Sequence, residues 1–382
     1  MVHISERERQ LPRQLIGDLL RIASEDKSVI SLSAGEPNFP LPSPIVKEVI
    51  KYADKSNHYS PPGGRHELKE AIIKKLKKEN KINLKPENII ATCGSQEALM
   101  LASVCVLDVG DEAIIPDPSY MCYLPTIELM DGVPSRLELK EEEGFNINPD
   151  RLKRLVDKKR TKYILINSPC NPTGNVINRK ILEEIADIAV ENNLFVFSDE
   201  AYEKIIYDQK HVSIGSLNGM QDYVATFQTF SKSYAMCGFR LGYCAGPEKL
   251  IKAMTKTHVD TTTSAPTISQ LIGVKALQLK KSYIDRMVND YRKRRDLIVK
   301  RLNEIGLRTV KPEGAFYAFS NITNFSKNSF MFAHNLLQKA KVAIVPGSEF
   351  GRYGEGYVRF SYATEIHLIE KAMERIEKYL KR

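Results

Sequence analysis

The sequence predicts an α/β protein whose mostly parallel sheet is flanked by helices, joined to a separate, smaller α+β unit. Two patterns and one length carry that prediction. Between residues 88 and 245, short β-rich apolar runs alternate with helical stretches of about 10–15 residues, as βαβ units do. After about residue 269 the order changes to a long helical stretch, then strands and helices without regular alternation. A chain of 382 residues also exceeds the ~100–200 that one packed unit usually holds.

Taken in order, residues 44–55 and 66–80 read as helices, the second introduced by the turn Pro61-Pro-Gly-Gly64. Residues 88–93 are a short apolar run ending at Gly94, and a helical stretch follows from Gln96 to about Leu107. Strand signals recur at 112–116, 163–167, 194–198, 223–229 and 241–245, with 179–192 helical among them. From Ser269 to Gly306 the reading is long helix, since Gln270-Leu-Ile-Gly-Val-Lys-Ala-Leu277 carries apolar residues at a period near 3.6. Strands are then expected at 308–311, 316–319, 342–345 and 357–361, and helices at 330–340 and 366–380.

Composition excludes several classes. Hydrophobic and charged fractions of 42% and 27% argue against a disordered, collagen-like or coiled-coil chain. No apolar run approaches the ~18–20 residues of a membrane helix; 99–107 is among the longest and contains Ser103. The first ten residues mix acids with bases around no apolar core, unlike a signal peptide, so a soluble cytoplasmic protein is expected. Six scattered cysteines form no Cys-x-x-Cys pair and no histidine lies at zinc-finger spacing, so reduced thiols and no metal site are expected. The net charge is +9, but the bases in 69–81 and 292–301 recur among apolar residues at helical spacing. They read as solvated faces of amphipathic helices. No nucleic-acid recognition motif accompanies them; an anionic small substrate or cofactor suits the excess better.

The chemistry concentrates in three segments. Thr229-Phe-Ser-Lys-Ser-Tyr-Ala-Met-Cys-Gly-Phe-Arg-Leu-Gly242 puts Lys232 after an apolar strand, between Ser231 and Ser233. A lysine there is costly unless paired or neutral, and a desolvated lysine is a natural Schiff-base nucleophile. Ser231 and Arg240 suit an anionic group, with neighbouring glycines allowing close backbone approach. Phe195-Val-Phe-Ser-Asp-Glu-Ala-Tyr202 ends a strand, where open α/β sheets place ligand residues; Asp199 suits a cationic ring nitrogen and Tyr202 a phenolic oxygen. Asn167-Ser-Pro-Cys-Asn-Pro-Thr-Gly174 is a strand running into a turn that presents Asn171. Singly, each has a plain alternative: a surface lysine, a surface turn.

Together, in the order Asn171, Asp199, Tyr202, Lys232, Arg240, these segments resemble the class I pyridoxal-phosphate aminotransferases, the aspartate-aminotransferase fold (fold type I). The resemblance covers nearly the whole chain. Ser31-Leu-Ser-Ala-Gly-Glu-Pro-Asn-Phe-Pro40 resembles the strand and turn whose glycine, here Gly35, touches substrate. His58-Tyr-Ser-Pro-Pro-Gly-Gly64 resembles the loop whose tyrosine, here Tyr59, reaches the neighbouring subunit's cofactor phosphate. Thr92-Cys-Gly-Ser-Gln-Glu-Ala-Leu99 matches the phosphate turn, and its free amides at a helix N-terminus make Gly94, Ser95 and Gln96 an anion site on physical grounds too. Asp117-Pro-Ser-Tyr120 places Tyr120 where the family stacks a ring on the pyridine. Tyr357-Val-Arg-Phe-Ser-Tyr-Ala363 resembles the strand whose arginine, here Arg359, grips the substrate α-carboxylate.

The resemblance implies a large cofactor domain over 45–275 and a small domain made of 1–44 and 276–382, with pyridoxal phosphate between them in a homodimer with shared sites. It implies Lys232 as the coenzyme lysine and proton carrier, and Asp199 at the ring nitrogen. Tyr202 and Asn171 fall at the ring oxygen, and Ser95, Gln96, Ser231, Arg240 and Tyr59, with Thr229 as an extra hydroxyl, at the phosphate. Arg359, Asn171 and Gly35 face substrate. The expected reaction moves an amino group from aspartate or an aromatic amino acid to a 2-oxo acid such as 2-oxoglutarate. A lyase on the same fold and an aminotransferase-like regulator are the alternatives. The chain departs from many relatives at Phe239, where they carry Trp, and at Gln228-Thr229 before Phe230. Arg13 in the N-terminal arm is the candidate for reading a substrate side-chain carboxylate.

Overall fold

A computed structural model describes residues 3–11 and 16–381; Arg13, the candidate side-chain reader, lies outside them. The strands are β1 (Ile30–Ser31), β2 (Ile89–Thr92), β3 (Glu112–Asp117), β4 (Val133–Glu138), β5 (Thr161–Asn167), β6 (Phe195–Asp199), β7 (Val224–Thr229), β8 (Gly242–Ala245), β9 (Tyr317–Asn321), β10 (Val342–Ala343), β11 (Val345–Pro346) and β12 (Tyr357–Ser361).

Seven of them form one sheet in the order β2-β8-β7-β6-β5-β3-β4. All neighbouring pairs from β4 to β7 are parallel, and β8 runs antiparallel to both β7 and β2. The central strands are buried on both faces, which is why they read as continuous apolar runs rather than alternating ones. Helices cover the sheet. In Arg179–Glu191 the Asn178 side chain caps the Ile181 N–H, and Leu182, Ile185, Ile188 and Ala189 face inward at helical spacing. Each of its larger buried side chains contributes about 1.5–3 kcal/mol. A second, antiparallel sheet, β11-β12-β9, packs with the helices Lys281–Glu304, Ser329–Asn335 and Ile366–Leu380 into a smaller α+β domain. β1 pairs in parallel with β10, tying residues near the start of the chain to this later part.

Several expectations need correcting. The long helix expected over 269–306 is two helices, Thr267–Leu277 and Lys281–Glu304. The first packs on Ser43–Tyr52 and His66–Lys75, the second on Ile366–Leu380, and apolar periodicity does not register a change of partner. The strand expected at 308–311 reduces to one bridge, Thr309 to Ser320, because Pro312 follows with no N–H to extend a ladder. The strand expected at 342–345 is split between two sheets, β10 on β1 and β11 on β12. The edge strand β4 escaped the sequence reading because most of it is only half-buried and its pattern is mixed.

The basic helix faces are also not wholly solvated. Lys75, Arg294 and Arg295 are buried. Lys75 Nζ donates to Glu203 and Gln228, and to Asn80 over 2.8 Å. Arg294 pairs with Asp290, and Arg295 with Asp208 and Asp296. Charged groups are buried this way only when paired. The six cysteines are free thiols. No helix among the described residues is long and apolar enough to cross a membrane.

Candidate active site

β5, β6 and β7 end side by side at Asn167, Asp199 and Thr229, at the carboxyl edge where open α/β sheets bind ligands. The start of the helix Ser95–Val106 closes one side, and β12, carrying Arg359, closes another. The cavity they enclose is about 400 Å³. It is lined by Gly35, Gly94, Ser95, Gln96, Tyr120, Asn171, Asp199, Tyr202, Thr229, Ser231, Lys232, Arg240 and Arg359. Of the candidate residues among those described, only Tyr59 stands outside, with 85% of its surface exposed.

Lys232 sits on the short helix Phe230–Ser233 that β7 runs into, with Thr229 as its cap: Thr229 Oγ1 accepts from the Ser231 N–H at 3.2 Å. Thr229 also donates to Ser231 Oγ over 3.0 Å, so its role is to hold the turn that presents Ser231 and Lys232. Lys232 Nζ reaches across the cavity and donates to the Gly35 carbonyl over 2.6 Å. Ala235 (φ 53) and Arg240 (φ 49) adopt left-handed backbone just beyond, a conformation that costs of order 1–3 kcal/mol and clusters at functional sites.

One end of the cavity is the turn at Gly94, whose φ of 86 suits glycine and which opens the helix Ser95–Val106, whose first amides suit an anion. A Cβ on Gly94 would lie 2.8 Å from Arg240 Nη2, which donates to the Cys93 carbonyl over 3.4 Å. Gly242 has a different function from the one expected. A Cβ there would lie 2.4 Å from Ser95 N, so this glycine lets β8 pass under the turn rather than approach a ligand.

At the other end of the cavity Asp199 is buried. Its Oδ2 accepts from Tyr123 Oη over 2.6 Å and its Oδ1 from the Ala201 N–H over 3.0 Å. Burial outweighs these bonds and pushes its pKa up to about 6. Asn167 holds the same strand end, donating to the Asp199 carbonyl and accepting from the Asn171 N–H. Arg359, 1% exposed, donates to Asn171 Oδ1 (3.0 Å) and the Ser33 carbonyl (2.7 Å). Its guanidinium lies over the rings of Tyr317 and Phe350, and its Nε has no hydrogen-bond partner. Burial lowers its pKa. Tyr202 and Tyr317 share a hydrogen bond of 2.8 Å.

Tyr123, Tyr317 and Asn167 are the site residues that sequence reasoning passed over. Asn167 heads a quoted motif, and Tyr123 lies three residues past Tyr120. Tyr317 had no signal beyond an apolar strand. Gln228 faces away from the cavity into the polar cluster of Lys75, Tyr243, Glu200 and Glu203. Glu200, Glu203 and His211 in that cluster are of metal-ligating type, but their carboxylates already accept from Lys75, Asn80, Ser213 and Gln228.

Residues 27–376 match the family model described as aminotransferase class I and II. The chain belongs to this aminotransferase family. It is 46% identical over 371 residues to an aspartate aminotransferase of Pyrococcus abyssi, spanning 96% of this chain and 95% of that one. It is 41% identical to aromatic-amino-acid aminotransferase 2 of Thermococcus litoralis, spanning 99% and 98%. The crystal structure of an aromatic aminotransferase from Pyrococcus horikoshii superposes with a TM-score of 0.91 at 44% identity, covering 96% of this chain and 98% of that one.

Proposed function

We propose that the protein is a pyridoxal-phosphate-dependent aminotransferase, active as a homodimer. It would move the amino group of aspartate or an aromatic L-amino acid to a 2-oxo acid such as 2-oxoglutarate. The observation that carries this reading is the convergence of a lysine amine, a buried carboxylate and a buried guanidinium in one cavity, beside a helix N-terminus. The residues fit the coenzyme. The amides after Gly94 and the Arg240 guanidinium suit its phosphate, the buried Asp199 carboxylate calls for a cationic partner, and among the described residues Lys232 Nζ donates to a carbonyl. When bound, pyridoxal phosphate supplies an electron sink for a bond broken at the substrate Cα.

This chain's residues would do the rest. Lys232 would hold the coenzyme covalently and, as a free amine, would carry the Cα proton. Asp199, in its ionised form, would hold the ring nitrogen in its protonated state. Tyr202 and Asn171 present polar atoms to the ring oxygen, with Tyr317 orienting Tyr202. Tyr120 would pack on the ring, and Arg359, already aimed by Asn171 and Ser33, would grip the α-carboxylate as a fork. The solvent-exposed Tyr59 suits a contribution to the partner's phosphate site, and the β1–β10 pairing supports placing the N-terminal arm with the small domain.

The test mixes the coenzyme-loaded protein with aspartate, glutamate, phenylalanine, tyrosine, alanine and lysine and follows conversion of the coenzyme to its amine form. Aspartate, glutamate or the aromatic amino acids should convert it. Lys232→Ala should abolish turnover and the absorbance of lysine-bound coenzyme; retained activity would sink the reading.

A further inference from the structure

The histidine at position 258 lies outside the cavity, on the helix Glu248–Thr261, and is fully buried. One ring nitrogen, Nδ1, lies 2.8 Å from the Pro62 carbonyl. The other, Nε2, lies 3.3 Å from Glu97 Oε2, an ion-pair contact. Nδ1 makes the ring's hydrogen bond, while Nε2 meets Glu97 within ion-pair distance without hydrogen-bond geometry, so the ring faces the carboxylate favourably only when it is protonated. Glu97 is itself committed. Its Oε2 accepts the Cys93 N–H over 2.5 Å, and its Oε1 accepts from Thr262. Cys93 and Glu97 bracket the turn Gly94-Ser95-Gln96, while Pro62 belongs to the loop that carries Tyr59. The loop and the strand leading into the turn also meet directly, through the Ala91 N–H on the Gly63 carbonyl (3.2 Å).

We propose that His258 is a positioning residue that couples the anion-binding turn of its own site to the loop carrying Tyr59, and so links the two sites of a dimer. The inference rests on the reading of Tyr59 as a residue serving the partner. Thr267 clamps the same loop from the next helix, its Oγ1 donating to the His58 carbonyl over 2.6 Å, and Gln270 Oε1 accepts from the Arg65 N–H over 2.8 Å. His258 is the member of this set that reaches the turn as well. Burial works against its charged form, but Glu97 and the Pro62 carbonyl prevail and raise its pKa above 6.5. Burial likewise disfavours the charged Glu97, yet its three partners hold it at about 2. The Cys93 thiol beside them is pushed up to about 12 by burial and by Glu97, and stays neutral. Glu97 is thus the charge that faces the imidazole, and the clamp is charged until the pH passes the histidine's raised pKa.

The experiment measures pyridoxal-phosphate dissociation from the holoenzyme and from H258Q, across pH. H258Q should release the coenzyme about tenfold more readily, the effect of losing the buried ion pair with Glu97, and should lack the wild-type weakening as the pH rises above the histidine's pKa. Mixed dimers separate coupling from local packing. In a dimer of wild type with the H258Q/K232A double variant, the one lysine-bearing site has its own turn intact and only the partner's loop released. Its coenzyme should still dissociate several-fold faster than in a wild-type/K232A dimer. Equal retention in those two dimers overturns the coupling, and equal affinity and pH slope in H258Q and wild type overturn the positioning role. Wild type that binds no pyridoxal phosphate refutes the functional reading instead.

Discussion

Tyr123→Phe isolates the environment of Asp199. The substitution removes the hydroxyl that donates to Oδ2 over 2.6 Å and leaves the ring, edge-on to Tyr120 with centroids 5.5 Å apart, in place. A hydrogen bond to an ionised acceptor contributes about 1.5–3 kcal/mol. At about 1.4 kcal/mol per pKa unit, its loss should raise the Asp199 pKa by about 1–2 units from its coenzyme-free value near 6. The direction follows from burial, which already favours the neutral form and is then opposed by the Ala201 N–H alone among the two bonds. If Asp199 serves a protonated ring nitrogen as proposed, the carboxyl would then lose its charge at a higher pH. The assay is the pH dependence of kcat with saturating amino donor. The acid limb of the variant should move up by about 1–2 units, with the rate at the alkaline plateau nearly recovered. The coenzyme-free protein supplies a control on the sign. A folded-state pKa raised from 3.8 to about 6 contributes stability that is full below 3.8 and lost as the pH rises through about 6. In the variant that loss should extend to higher pH, read from melting temperature against pH. An acid limb and a melting profile that coincide with wild type would refute the account of how Asp199 is tuned.

Other perturbations test separate parts. Arg359→Lys keeps the charge but loses the fork held by Asn171 and Ser33, so the KM for the amino donor should rise about 10- to 100-fold, measured by steady-state kinetics. Gly242→Ala drives a methyl to 2.4 Å from Ser95 N, and should cost about 1–3 kcal/mol by denaturant melts while weakening coenzyme binding. Lys75→Met strands Glu203 in the interior and should cost about 3–5 kcal/mol by the same melts, whereas the paired change Lys75→Met with Glu203→Gln should recover part of it. Dimers that combine Tyr59→Ala in one chain with Lys232→Ala in the other should differ from dimers carrying both changes in a single chain; identical coenzyme retention in the two would remove Tyr59 from the partner's site.

Much of the cavity could be read along the chain because its members stand in short ordered motifs at strand ends and turns. Lys232, Asp199 and Asn171 each follow an apolar run that ends abruptly in polar residues, and Arg240 follows Lys232 at close range. The residues that tune them gave no such sign. Tyr123 and Tyr317 look like packing aromatics until the folded chain brings one to Asp199 and the other to Tyr202 and Arg359. Lys75 repeats with the period of a solvated helix face, yet its helix packs against the turn after β6 and Glu203 takes its charge. The break after Leu277 was hidden because apolar spacing continues across it while the partner helices change.

By itself the sequence determined the α/β class, the parallel strands whose two buried faces demand continuous apolar runs, and the chemical types gathered at their ends. It also carried the family resemblance, since motifs are local in the chain and turns are dictated by nearest neighbours. Tertiary structure alone decided which tyrosine faces the buried carboxylate, that Gly242 makes room for a turn, and that His258 spans the Gly94 turn and the Tyr59 loop. Those contacts join residues far apart in sequence, and their energies depend on burial and alignment that no spacing along the chain encodes.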